Sequence, residues 1–134
     1  MLDYADQVVD AVSAWEGLRV EPHRFGGREF KLGQVEIGHV HSGGLVDVPF
    51  TRAVREQLVA AHRAQPHHIL PETGWISFYM RRPEDVDQAV WLLRLSYLQK
   101  RIRRSRNNPS ERKTLIADLD SLEPDAALRD LIAS

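Results

Sequence analysis

The chain has 134 residues, 43% of them hydrophobic, which supplies one ordinary core for about one domain. It has no cysteine, which removes disulfides, thiolate metal sites and cysteine nucleophiles together. Its formal net charge of -1 leaves no global field to attract nucleic acid or an anionic membrane.

Met1-Leu2-Asp3-Tyr4 carries acid early and starts no long apolar run, so no signal peptide is read. No stretch approaches the ~18 uninterrupted apolar residues of a membrane span. The expectation is a soluble, cytoplasmic protein without a membrane partner. Ala5, Val8, Val12 and Trp15 recur at helical spacing, which predicts a helix over 3–15 ending before Gly17. Residues 19–25 read as an extended or turning path, because of Pro22. Arg28 to Leu32 alternates, with Phe30 and Leu32 on one side. Val35 to His41 alternates again beyond a Gly33-Gln34 turn, and Leu45 to Val48 follows the Ser42-Gly43-Gly44 turn.

Thr51 caps a predicted helix with Val54, Leu58 and Ala61 on its apolar face. Residues 64–74 read as a loop, and Trp75 to Met80 as a strand with Ile76, Phe78 and Met80 facing one way. Pro83 opens a helix over about 83–106, acidic at Glu84, Asp85 and Asp87 and basic from Lys100 to Arg106, which complements its dipole. It carries two apolar stripes: Val86, Val90, Leu93 and Tyr97, then Trp91, Leu95, Leu98 and Ile102. The sheet is expected to cover one stripe; the C-terminal tail or a second subunit covers the other, so a homo-oligomer through this helix and the tail stays open. After Asn107-Asn108-Pro109, two short helices carry Leu115, Ile116 and Leu119, then Leu128, Leu131 and Ile132. The expected fold class is α+β, an antiparallel β-sheet of about four or five strands flanked by helices. A domain over 1–106 precedes a helical tail over 107–134 that packs on it or on a second subunit.

Several ordered motifs lie between Trp15 and about Tyr97: Pro22-His23-Arg24-Phe25-Gly26-Gly27-Arg28-Glu29-Phe30, Gly38-His39-Val40-His41, Val46-Asp47-Val48-Pro49-Phe50, Pro66-His67-His68, Gly74-Trp75-Ile76-Ser77 and Leu95-Ser96-Tyr97. Over this span the chain resembles the luciferase-domain family, small bacterial proteins similar to the luciferase of bioluminescent fungi. The resemblance implies oxygen-dependent oxidation of a small aromatic ligand, with no metal or organic cofactor required. The second half is also similar to the YjbR and frataxin-like double-winged proteins, through its Gly-Trp strand and the helix bearing Ser96-Tyr97. That similarity implies an antiparallel sheet flanked by helices.

His39 and His41 stand two apart on a predicted strand and so share a face, together with Val35 and Ile37. Such a pair can grip zinc, iron, nickel or copper, and His23, His67, His68, Glu29 and Asp47 are further ligands where the fold brings them near. Equally, each ring can bond to backbone or face water, so a metal at His39 and His41 stays open. Gly33 followed by His39-Val40-His41 matches half of a cupin motif, but Leu45 and Val46 stand where its Glu belongs, and strong helices replace its all-β second half. In His23-Arg24-Phe25-Gly26-Gly27, the glycines permit close approach of backbone to a ligand, and Arg24 can hold a carboxylate or phenolate. A histidine beside Glu29 or Asp47 suits acid–base work.

The catalytic candidates are therefore His39, His41 and Asp47, and the ligand-binding candidates are His23, Arg24, Glu29, His67 and His68. The basic run at Lys100–Arg106 reads first as a helix end, without the interleaved aromatics of a nucleic-acid platform. The function expected is small-molecule binding with oxidase- or oxygenase-like chemistry. The alternative is a non-enzymatic binding or regulatory module for a protein partner or nucleic acid.

Overall fold

The computed structural model describes residues 3–134, and the reading made of Met1 and Leu2 lies outside the described residues. Four of the five α-helices among the described residues begin on a side chain that accepts a backbone N–H three residues on. These caps are Asp3 for α1 (Tyr4–Val12), Thr51 for α2 (Arg52–Ala60), Asn108 for α4 (Pro109–Ser121) and Asp125 for α5 (Ala126–Ala133). The exception is α3 (Asp85–Arg104), where Asp85 accepts the backbone N–H groups of Arg81 and Arg82 at 2.9 and 3.0 Å. Two predicted helices end early. α1 stops at Val12, and Trp15 leaves it to lean on Tyr97, ring centroids 5.2 Å apart. Ala61 is the exposed end of α2 and not part of its apolar face.

The sheet has six antiparallel strands: β1 (Leu18–His23), β2 (Gly27–Leu32), β3 (Val35–Val40), β4 (Leu45–Pro49), β5 (Gln65–Pro66) and β6 (Trp75–Tyr79), in the order β1-β2-β3-β4-β6-β5. The fold is thus α+β with an open antiparallel sheet, slightly larger than expected. The additions are the two edges. β1 forms where an extended or turning path was read, and β5 within the predicted loop. Pro22 and Pro66 are tolerated there because an edge strand need not donate every N–H.

Phe30, Leu32, Ile37, Val40, Val46, Val48 and Ile76, each at most 4% exposed, point to one side of the sheet. All five helices pack into that single core. α3 lies across β3 and β4, α1 touches β2 and α3, and α2 covers β5 and β6. α4 and α5 pack on the far side of α3, with α5 also against α2, and Leu115, Leu119, Leu128 and Ile132 join the same core. Both stripes of α3 are thereby covered within one chain. Burying each such aliphatic side chain stabilises the fold by about 1.5–3 kcal/mol. The opposite face of the sheet is left to strand and loop side chains.

One irregularity decides what that face carries. Phe30 pairs with Gly38 and Lys31 with Glu36, so Ile37 is an extra residue on β3, a β-bulge. The strand's alternation resets there. Ile37 and Val40 are both fully buried in the core, while His39 faces the other side. This corrects the expectation that His39 and His41 share a face with Ile37. Gly38 has φ +153, and a Cβ on it would stand 2.5 Å from Leu93 of α3, so the bulge lies where α3 packs tightly on the sheet.

Candidate functional site

On the helix-free face, register alone lines up one residue from every strand. Glu21 is opposite Glu29, Glu29 opposite His39, His39 opposite Asp47, Asp47 opposite Ser77, and Ser77 opposite Gln65. Cross-strand neighbours of this kind stand within side-chain reach. Asp47, at the centre, is 1% exposed. A buried carboxylate persists only when its charge is met by bonds and countercharge.

Those bonds come from three segments. Asp47 Oδ2 accepts from His39 Nε2 at 3.1 Å and from His41 Nε2 at 2.8 Å. Asp47 Oδ1 accepts from Ser77 Oγ at 2.7 Å, with His68 Nδ1 at 3.5 Å and His67 Nε2 at 3.6 Å. His39 Nδ1 donates to Glu36 Oε2 at 2.6 Å. These two residues are three apart on a strand and would face opposite ways without the bulge. His23 stacks on His39 with centroids 4.3 Å apart, and its Nδ1 donates to Glu29 Oε1 at 3.1 Å. Glu29 also meets Lys31 Nζ at 3.2 Å.

The partners fix the protons. His39 has a carboxylate on each nitrogen and is an imidazolium. Burial opposes its charge, but the bonds to Asp47 and Glu36 prevail and raise its pKa to about 9. Burial likewise pushes Asp47 up, yet the donors His39, Ser77 and His41 hold it far below the usual carboxylate range. Glu29 is lowered too, against its burial, by Lys31 and His23. His67 Nδ1 accepts the backbone N–H groups of Ile69 and Leu70 at 3.1 and 3.0 Å, so its proton sits on Nε2. Burial lowers its pKa and the charge of Asp47 offsets part of that. Ser77 spends its only hydrogen on Asp47, so His68 Nδ1, 3.2 Å away, is the donor to Ser77 Oγ. Three outer nitrogens are left without a hydrogen bond among the described residues: His23 Nε2, His41 Nδ1 and His68 Nε2.

These groups form the floor of a cleft of about 390 Å³, within the range of small-molecule sites. Five of the six histidines line it, with Asp47, Arg24, Phe25, Ile69 and Leu70. Its rim is apolar: Phe25, Ile69 and Leu70 are 92%, 70% and 50% exposed. Phe25 holds φ 57, a left-handed conformation uncommon for an aromatic residue, in the short turn Arg24–Gly26 between β1 and β2. The structure brings His23, Arg24, His39, His41, Asp47, His67 and His68 to one cleft. Glu29 stands behind His23 and does not line it. Sequence reasoning missed Glu36, whose place depends on the bulge, and Ser77, whose place depends on strand order. It also missed the apolar rim, although Ile69-Leu70 was a visible apolar pair in an otherwise polar loop.

Elsewhere, the Ser96-Tyr97 pair is structural. Ser96 Oγ bonds to Pro49 O at 3.4 Å, and Tyr97 Oη donates to Glu16 O at 2.6 Å. Of the basic run, Arg101 meets Tyr97 and Glu111, and Arg104 donates to Leu32 O. No helix among the described residues is long and apolar enough to cross a membrane.

Fold and site together define a small α+β protein with a histidine-lined cleft on the open face of an antiparallel sheet. A family model described as the luciferase domain matches residues 34–96, just under half of the chain, and the resemblance read from the sequence holds over that segment. The matched segment contains His39, His41, Asp47, His67, His68 and Ser77; His23, Arg24 and Phe25 precede it. Comparison with curated proteins found no match, and comparison with solved structures found none.

Proposed function

We propose that this luciferase-domain protein binds a small molecule with an apolar, aromatic body and an acidic hydroxyl, and withdraws a proton from it. The carrying observation is the pairing of an apolar rim (Phe25, Ile69, Leu70) with a floor of histidines around buried Asp47. The rim takes the aromatic body. Arg24 and the His39 imidazolium offer positive charge to the conjugate base. A histidine with a free outer nitrogen accepts the proton: His41, held by Asp47; His23, held by Glu29; or His68, held through Ser77. The phenolate or enolate so formed is the electron-rich species that molecular oxygen can oxidise, which is the chemistry the family resemblance implies.

The test is calorimetric binding of a hydroxylated bicyclic aromatic beside its O-methyl ether, with oxygen uptake followed in parallel. The phenol should bind at least about tenfold tighter than the ether, a difference of about 1.4 kcal/mol. Phe25→Ser and Leu70→Ser should weaken both compounds alike. Equal affinity for phenol and ether, or rim variants that bind as wild type, would remove this reading.

A further inference from the structure

We propose that His39 Nε2, His41 Nε2 and Asp47 Oδ2 bind one divalent first-row transition-metal ion on the floor of the cleft. This goes beyond the reading above and does not depend on which organic molecule the cleft accepts. The three donor atoms lie within 4.8 Å of one another. Both imidazoles present the same atom, Nε2, to the same carboxylate oxygen, at 3.1 and 2.8 Å. Metal bonds of about 2.0–2.2 Å set at right angles give donor separations of about 2.8–3.1 Å. Both carboxylate-to-imidazole spacings already fall in that range.

The surroundings match those of metal centres, where the outer atoms of ligands are themselves held. Glu36 holds His39 Nδ1 at 2.6 Å, and Ser77 holds Asp47 Oδ1 at 2.7 Å. All three ligands stand on or directly beside paired β-strands, with His39 and Asp47 directly opposite. Rigid elements of this kind keep donors in place. Charge fits as well. Asp47 and Glu36 carry two negative charges, which one divalent cation balances.

The alternative donor set of Asp47, His67 and His68 is poorer. His67 Nδ1 is committed to two backbone N–H groups, which keeps a proton on Nε2. His68 Nδ1 is committed to Ser77. Two imidazoles and one carboxylate with open positions toward a cleft are the facial set of non-haem iron(II) sites, and the same donors accept cobalt(II), nickel(II) and zinc(II). On binding, His39 releases its Nε2 proton to solvent and keeps Nδ1–H on Glu36. His41 moves its proton from Nε2 to Nδ1, so one proton leaves per ion bound. His23 and His68 keep their free nitrogens.

The experiment is calorimetric titration of the tag-free, chelator-stripped full chain with zinc and with cobalt(II), with no organic ligand present. We expect one ion per chain for wild type and His62→Ala. His41→Ala and Asp47→Asn should bind at least about 100-fold more weakly, and Glu36→Gln about 10- to 100-fold more weakly. His41 is 32% exposed at its side chain, so its variant keeps the fold by circular dichroism and carries the test if Asp47→Asn does not fold. A wild type that binds neither ion, or His41→Ala and Glu36→Gln variants that bind like wild type, overturns the proposal. Neither result touches the phenol-versus-ether comparison.

Discussion

Asp47 spends both carboxylate oxygens on donors from β3, β6 and the loop after β5, so its charge is balanced only while those segments stay together. Removing one partner of a buried ion pair typically costs about 3–5 kcal/mol. Asp47→Asn should therefore lower unfolding free energy in urea by about that much. Ser77→Ala, which removes one hydrogen bond, should cost roughly 1–3 kcal/mol. Equal small effects would mean that the cluster does not hold the sheet. Lys100 offers a second test at this scale. Its ammonium donates to Pro49 O and Ser96 Oγ at 2.6 and 2.8 Å, with the Phe50 ring 5.5 Å away and no carboxylate in contact among the described residues. Burial and the Arg103 charge lower its pKa to about 7, with Glu36 pulling weakly the other way. Between pH 7 and about 10.5 the unfolded chain thus binds the proton that the folded chain lacks, so stability rises with pH across that window. Relative to Lys100→Met, wild type should gain up to about 1.4 kcal/mol per pH unit from pH 7 to 9. A difference that stays flat with pH would show the amine to be well solvated.

Among the elements, β3 carries most of the consequence. Its bulge places Glu36, His39 and His41 on one face and Ile37 and Val40 on the other, at the cost of a residue that must be glycine at 38. Gly38→Ala drives a methyl into Leu93 and forces φ +153 on a residue that resists it. Overpacking of this kind costs about 1–3 kcal/mol. The expected result is a lower melting temperature together with loss of the His39–Glu36 contact, read from the imidazole resonances by NMR. A variant with unchanged melting and unchanged His39 resonances would show that the bulge does not depend on glycine. α3 shows the opposite case. Its acidic start, basic end and two stripes were plain in the sequence, because dipole and burial both act along one continuous helix.

At the scale of the whole molecule, the tail is part of the same core as the sheet. Leu119 is fully buried, as is α3's Leu95, and Trp91 Nε1 donates to Leu122 O at 3.0 Å. Leu119→Ala should cost about 2–5 kcal/mol and shift one cooperative transition, seen alike by tryptophan fluorescence and far-ultraviolet dichroism. Two separate transitions would mean that the tail folds as its own unit.

The sequence by itself determined the helices, the Thr51 cap, the four inner strands and the family resemblance. Each of these follows from periodicity, a polar cap and turn residues acting over a few neighbours: Thr51 announces a helix start, and Phe30 and Leu32 announce a face. The edges β1 and β5 were not legible as strands, because an edge strand such as Gln65–Pro66 is defined by its partner and not by its own pattern. The site was legible as residue types and not as a place. His39 and His41 stood out by spacing, but Glu36 joined them only through the bulge. Ser77 and the His67-His68 loop reached Asp47 only because β6, from later in the chain, pairs beside β4. Pairing and register act between segments far apart in the chain, and only the tertiary structure fixes them.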